Sequence, residues 1–247
     1  MRRTSTRCRR KRNDLKPPVA AAWAIHALTA SGAVLAFFAL LAVEEGAYRL
    51  ALLWLAAALV VDGVDGPLAR WAGVRERTPG LDGATLDLVV DYLTYVFVPA
   101  LLIYRAGVLP GAWAALGAAA ILLSSLYTFA RSDMKTEDNF FRGFPAVWNV
   151  VAFYLVLLHA GAVAAGIVVA LFTALTFAPI HFIHPVRVRA YQPWLGVLTA
   201  VWGAASVALL WPGWSPMIGF VWLALSLTGA GMLLAVGLLR TIRGERT

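Results

Sequence analysis

Apolar residues fall along this chain in long blocks, not in the alternating or narrow-stripe patterns of a soluble fold. Blocks of roughly 17 to 25 residues match the length that a helix needs to cross the hydrocarbon of a bilayer. Broken at Pro, Gly and charge, they predict eight spans, over residues 19–43, 47–70, 84–104, 111–130, 144–160, 163–183, 194–211 and 217–240. No repeat of fixed period is visible, and no linker is long enough to separate domains. The chain reads as a basic tail, residues 1–18, followed by one membrane domain, residues 19–247. The expected fold is all-α, a polytopic bundle of about eight transmembrane helices.

Composition supports that pattern. Of the 247 residues 61% are hydrophobic and only 14% charged, too little polar surface for a soluble domain of this size. The net charge of +8 is concentrated: eight of the 21 basic residues precede residue 17, against one acid, Asp14. Such a run just before a first span reads as an anchor on anionic lipid in preference to a nucleic-acid patch. The remaining basic residues then orient the bundle. Arg70, Arg75 and Arg77, then Arg131, Lys135 and Arg142, then Arg187 and Arg189, then Arg240, Arg243 and Arg246 fall on the same side as the tail. Only Arg49 and Arg105 fall opposite, so 19 of 21 share a face that the positive-inside rule makes cytoplasmic. Both termini are expected there. Trp194, Trp211 and Trp214 read as interfacial anchors. Cys8, the single cysteine, can form no internal disulfide.

Four acids break the apolar pattern. Asp62 and Asp65 sit near the end of the second span, and Asp87 and Asp91 near the start of the third. Helical spacing puts Asp62, Asp65, Gly66 and Ala69 on one stripe, and Gly83, Asp87 and Asp91 on another. An acid at the bilayer centre costs about 2.5–3.5 kcal/mol, so four unpaired would cost on the order of 10 kcal/mol. Their position near the cytoplasmic ends reduces that penalty but leaves their mutual repulsion. A bound cation relieves it, and all-oxygen ligation suits Mg2+ or Mn2+. Two such ions bridged by carboxylates can clamp a pyrophosphate. A cation transporter could use the same acids, but one would expect broken helices near the midplane and related halves. Here the acids crowd one face.

The order D-G-x-D-G-x2-A-R, then G-x3-D-x3-D, resembles the signature of the CDP-alcohol phosphatidyltransferases. It is carried by Asp62, Gly63, Asp65, Gly66, Ala69, Arg70, Gly83, Asp87 and Asp91. Twelve residues, Trp71 to Asp82, separate its halves, more than in most of the family. That gap, the eight spans and the segment from Phe140 to Asn149 resemble the bacterial members that use choline as acceptor. The resemblance implies phosphatidyl transfer from CDP-diacylglycerol to choline, with release of CMP, in the inner membrane of a bacterium. Sister enzymes that use serine, inositol or glycerol phosphate are the near rivals.

The resemblance also implies roles. Asp62, Asp65 and Asp87, with Asp91 adjacent, would hold the divalent ions, and Asp91 would take the proton of the attacking hydroxyl. Gly66 and Ala69 would make room for the nucleotide, with Gly83 in the same set, and Arg70 would face its phosphates. Arg131, Lys135 and Arg142 are candidates for the lipid phosphate, with ordinary positive-inside charge as the competing explanation. A quaternary ammonium is held by aromatic faces, and Tyr92, Tyr95 and Trp148 are the foremost candidates, with Trp71 and Tyr127 behind them. His181 and His184 lack a third ligand for zinc and read as packing. Homodimers are common in the similar family, which leaves a homodimer open here.

Overall fold

The computed structural model describes residues 18–244 except 186, with the main chain alone at Arg189. The basic tail, apart from Pro18, lies outside these residues. Helix α1 spans Val19–Glu44 and pairs along its length with α2, Tyr48–Ala72. Gly73, in the left-handed region at φ 63°, ends α2 and leads into the single turn α3, Val74–Arg77. The next rod, Gly83–Arg105, is continuous but not uniform. It consists of α4 (Gly83–Asp91), a π-helical segment (Tyr92–Phe97) and α5 (Val98–Arg105). Asp82 starts it: its carboxylate accepts from the Ala84 amide at 3.0 Å and from the Thr85 hydroxyl at 2.8 Å, an ordinary N-cap. These two bonds, the hydroxyl first, pull the Asp82 carboxyl below the usual range.

Beyond this come α6 (Ala112–Ala130), α7 (Trp148–Leu157), α8 (Ala162–Leu175), α9 (Trp194–Ala208) and α10 (Pro216–Arg243). Among the described residues, five helical stretches, α1, α2, Gly83–Arg105, α6 and α10, are long and apolar enough to cross a bilayer. Helices α7, α8 and α9 are shorter, with 10, 14 and 15 residues. Outward-facing Phe37, Leu123, Ile167 and Phe220 are more than half exposed, as lipid-facing side chains are. The protein is a polytopic membrane helix bundle.

The main departure from the expected pattern lies between α6 and α9. Spans were expected over 144–160 and 163–183, but α7 begins four residues later and α8 ends at Leu175. Residues 181–183 instead form a strand, β2 (His181–Ile183), antiparallel to β1 (Phe140–Arg142), with Phe141 opposite Phe182. Pro145 and Pro179 lie in the two intervening segments, where an unbroken helix would lose amide donors. Gly143 makes the join possible. At φ +78° it brings its backbone against that of Thr176, so that a Cβ would stand 2.3 Å from the Thr176 carbonyl oxygen. Helix α10 braces this two-stranded sheet. Gly237 lets it approach the His181 backbone, the Thr241 hydroxyl accepts from the His181 amide at 2.7 Å, and Arg240 pairs with Asp138 at 2.8 Å.

Candidate metal and active site

Asp62, on α2, meets Asp87 and Asp91, one turn apart on α4. One carboxylate oxygen from each lies within 4.8 Å of the other two. Hard cations hold oxygens about 2.0–2.6 Å away, so ligands on opposite sides of one ion are about 4–5 Å apart. The three carboxylates therefore fit a divalent ion without rearrangement of the helices. At that separation two unit charges repel by on the order of 3 kcal/mol at the effective dielectric of a protein. The cluster thus has an electrostatic reason to take up a cation.

Asp65 behaves differently. It is 4% exposed and turns towards α1, where the Thr29 hydroxyl donates to its Oδ2 at 2.6 Å. Its charge still acts on Asp62, Asp87 and Asp91, but it does not share their oxygen cluster. The expected four-carboxylate centre is therefore three converging acids with a fourth held behind them.

The π-helical segment fixes the first of these acids. Tyr95 lies within it, almost wholly buried, and its hydroxyl donates to Asp62 Oδ2 at 2.6 Å. The wider π turn shifts the register of the helix relative to its start, and such bulges recur at functional sites. Tyr95 is thus an orienting partner of a carboxylate, and its ring is not an open face. Trp148 is fully buried in the main core against Phe144 and Phe172, with its indole N–H on Ser125 Oγ at 2.9 Å. Tyr92 is half-buried, set edge-on to Phe129, with its hydroxyl donating to the Leu122 carbonyl at 3.2 Å.

On α2, Pro67 removes the intrahelical donor that the Gly63 carbonyl would otherwise have. Gly63 faces open space, and Arg70 lies over Gly66, where a Cβ would come 3.4 Å from its Nη1. Ala69 is partly buried and packs with Ala72 and Val74. Gly83 has a packing duty: a Cβ there would stand 3.0 Å from Cε1 of His26. The buried His26 in turn bonds the Thr78 hydroxyl at 2.8 Å, anchoring the loop that carries α4 into place.

The cations divide into two sets. Arg131 makes two 2.8 Å bonds to Asp133, and Arg142 approaches the same carboxylate at 3.6 Å. The bond from Arg131 leads in holding the Asp133 carboxyl down at about 2, so Arg131 and Arg142 share a local counter-ion. Lys135 and Arg187 instead direct their fields at the acidic cluster, both acting on Asp62 and Asp87. Lys135 rests over the Phe141 ring at 5.0 Å. Burial first, then Arg187, lowers its pKa, while Asp87, Asp91 and Asp62 oppose the shift. His184 stacks on the other side of this group, 5.3 Å from Phe141 with the rings 10° from parallel. Burial, then Lys135, Arg187 and Arg70, push its imidazole down to about 3. Arg187 was visible in the sequence only as positive-inside charge. The strand that carries the chain to it ends at Ile183, and no periodicity announces three residues of strand.

An acidic cluster shared by two helices of a membrane bundle, with two cations acting on it, defines an integral membrane protein with a candidate metal site. The chain belongs to the CDP-alcohol phosphatidyltransferase family, whose model matches residues 24–202. It is 46% identical over 219 residues to a phosphatidylcholine synthase of Pseudomonas aeruginosa, covering 87% of this chain and 91% of that one. It is 44% identical over 189 residues to that of Rhizobium meliloti, with coverage of 76% and 78%. The phosphatidylcholine synthase of Legionella pneumophila is 35% identical over 241 residues, with coverage of 93% and 94%.

Proposed function

We propose that this chain transfers the phosphatidyl group of CDP-diacylglycerol to choline, giving phosphatidylcholine and CMP. The observation that carries the reading is the convergence of Asp62, Asp87 and Asp91 within 4.8 Å, in a chain similar over most of its length to phosphatidylcholine synthases. The three acids would hold Mn2+ or Mg2+, with Asp65, whose charge acts on all three, the candidate to join a second ion. Bound there, divalent ions would neutralise the pyrophosphate and the charge on the departing CMP.

The chain's own side chains would do the rest. Asp91 accepts the proton of the choline hydroxyl as its oxygen forms a bond to the phosphatidyl phosphorus and the bond to the CMP oxygen breaks. Tyr95 keeps Asp62 turned towards the site. Gly63, Gly66 and Ala69 leave room for the nucleotide beside Arg70, with Gly83 setting the distance of α4. Lys135 and Arg187 are better placed for the lipid phosphate than Arg131 and Arg142, which are engaged with Asp133. Both chain ends and the site would face the cytoplasm of a bacterium, since 19 of 21 basic residues fall on that side.

The trimethylammonium of choline is attracted by the carboxylate field and by an aromatic face. With Trp148 in the core and Tyr95 occupied by Asp62, Tyr92 is the acceptor-facing aromatic of the three. Tyr92→Leu should raise KM for choline by roughly three- to thirtyfold, the range of a cation–π contact, whereas Tyr92→Phe should leave it nearly unchanged. An equal effect of both would remove Tyr92 from the acceptor site.

The direct test of the activity uses purified protein in detergent with CDP-diacylglycerol, labelled choline and Mn2+. Labelled phosphatidylcholine should form, and a chelator should stop it. Incorporation of serine or inositol in place of choline would redirect the acceptor assignment. With no alcohol incorporated, the transferase reading falls.

A further inference from the structure

Helix α1 contributes no carboxylate to the cluster, yet it packs on both helices that do. Its buried residues His26, Thr29 and Gly32 follow one another at intervals of three, so they run along one side of the helix. Thr29 holds Asp65 of α2 through its hydroxyl at 2.6 Å. His26 meets the start of α4, where a Cβ on Gly83 would stand 3.0 Å from its Cε1. Gly32 meets the end of α4, where its own Cβ would stand 2.5 Å from Cγ1 of Val90.

Val90 lies beside Asp91 and three residues after Asp87. It is buried, and a valine in a helix keeps essentially one χ1 rotamer, so its methyl has little freedom to swing aside. Carbon atoms in contact keep about 3.5–4.0 Å apart, so a methyl at position 32 demands about 1 Å of movement. Helix α1 is paired along its length with α2, which leaves the nine-residue α4 as the body that gives way. The groups of a functional site have to be held to within about 0.5 Å, so such a shift reaches the carboxylates.

We propose that α1 is the spacer of the metal site: Gly32, by seating Val90, and His26, by seating Gly83, set how near Asp87 and Asp91 stand to Asp62. The proposal rests on the reading under Proposed function that these acids hold a divalent ion. Gly32 touches neither ion nor substrate and acts through α4 as a positioning residue. Close packing of membrane helices by itself also favours a small residue at such a contact. What separates the two roles is whether metal affinity follows the contact.

The experiment titrates Mn2+ alone into the purified full chain in detergent and reads binding from the loss of the free electron paramagnetic resonance signal. Gly32→Ala should weaken binding by roughly 10- to 100-fold, the range for groups that orient metal ligands from outside. Val90→Ala should stay within about threefold of wild type, and the double variant Gly32→Ala/Val90→Ala should return to that range, a coupling that the cycle isolates. With Cγ1 gone, the new methyl faces the Cβ of residue 90 at 4.0 Å, an ordinary contact. Melts in a chelator establish that each variant is folded. A purely structural contact would lower the melting temperature and leave the Mn2+ affinity of the folded protein unchanged.

Gly32→Ala binding Mn2+ as wild type does, or a double variant binding as weakly as Gly32→Ala, overturns the proposal. Should Gly32→Ala not fold, Gly83→Ala is the gentler wedge, pressing on His26. It should weaken binding by roughly tenfold, the lower end of the same range, and unchanged affinity there overturns the proposal equally. If wild type takes up no Mn2+, the metal reading fails and the spacer role fails with it.

Discussion

Asp91→Asn is expected to lower kcat by about 10²–10⁴-fold, the contribution of a positioned general base, while the protein remains folded. The amide keeps the shape and one carbonyl oxygen of the carboxylate but cannot take a proton from the acceptor hydroxyl. Its effect on stability should have the opposite sign. Asp91 lies among Asp62, Asp65 and Asp87, each of which repels it, and it is set in a helix with little access to water. Removing one of these charges relieves a repulsion of on the order of 3 kcal/mol per close pair. The metal-free variant should therefore melt at or above the wild-type temperature. Sites that hold like charges together for chemistry sacrifice stability for it. Thermal melts in a chelator, paired with turnover measured with Mn2+, test both halves. A variant that loses stability along with activity would make Asp91 a structural residue.

Tyr95→Phe is expected to weaken Mn2+ binding by roughly 10- to 100-fold, as loss of an outer hydrogen bond to a metal ligand usually does. The phenol hydroxyl fixes Asp62 Oδ2 at 2.6 Å. Without it, the carboxylate can rotate away from Asp87 and Asp91 while the ring continues to fill its place in the core. Mn2+ titration followed by the loss of its free electron paramagnetic resonance signal reads the affinity without turnover. Activity should return at high Mn2+, because the ligand is misdirected and not removed. Unchanged affinity would separate Tyr95 from the metal site.

Much of this is legible in the sequence alone. The helices long enough to span a bilayer correspond to the apolar blocks, because hydrocarbon leaves the chain few alternatives to a helix. Asp87 and Asp91 were predictable as one face from their spacing of four, and Asp62 as their counterpart on the preceding span. Asp65 could not be placed the same way. Its spacing of three puts it on the stripe of Asp62, and only the Thr29 hydroxyl on α1, 36 residues away, draws its carboxylate aside.

The π-helical segment has no periodic signature. It carries the ring of Tyr95 to Asp62 across the bundle, whereas the sequence alone offers Tyr95 as an acceptor-binding ring. Trp148 misled for a related reason. Its ring is a candidate by residue type alone, but Phe144 and Phe172 close over it in the core. Of the two-stranded sheet, β2 is hidden at the end of an apolar run that reads as a longer span, and β1 in the basic loop after the fourth span. Arg187 acquires its significance only because the chain that leaves β2 sets it where it acts on Asp62 and Asp87.

The most direct measurement is anomalous diffraction from crystals of the protein grown with Mn2+. A peak bounded by Asp62, Asp87 and Asp91, and abolished in Asp87→Ala, is the predicted result. Manganese bound elsewhere, or a peak that persists after that substitution, would contradict the view that two adjacent membrane helices meet to hold a metal ion.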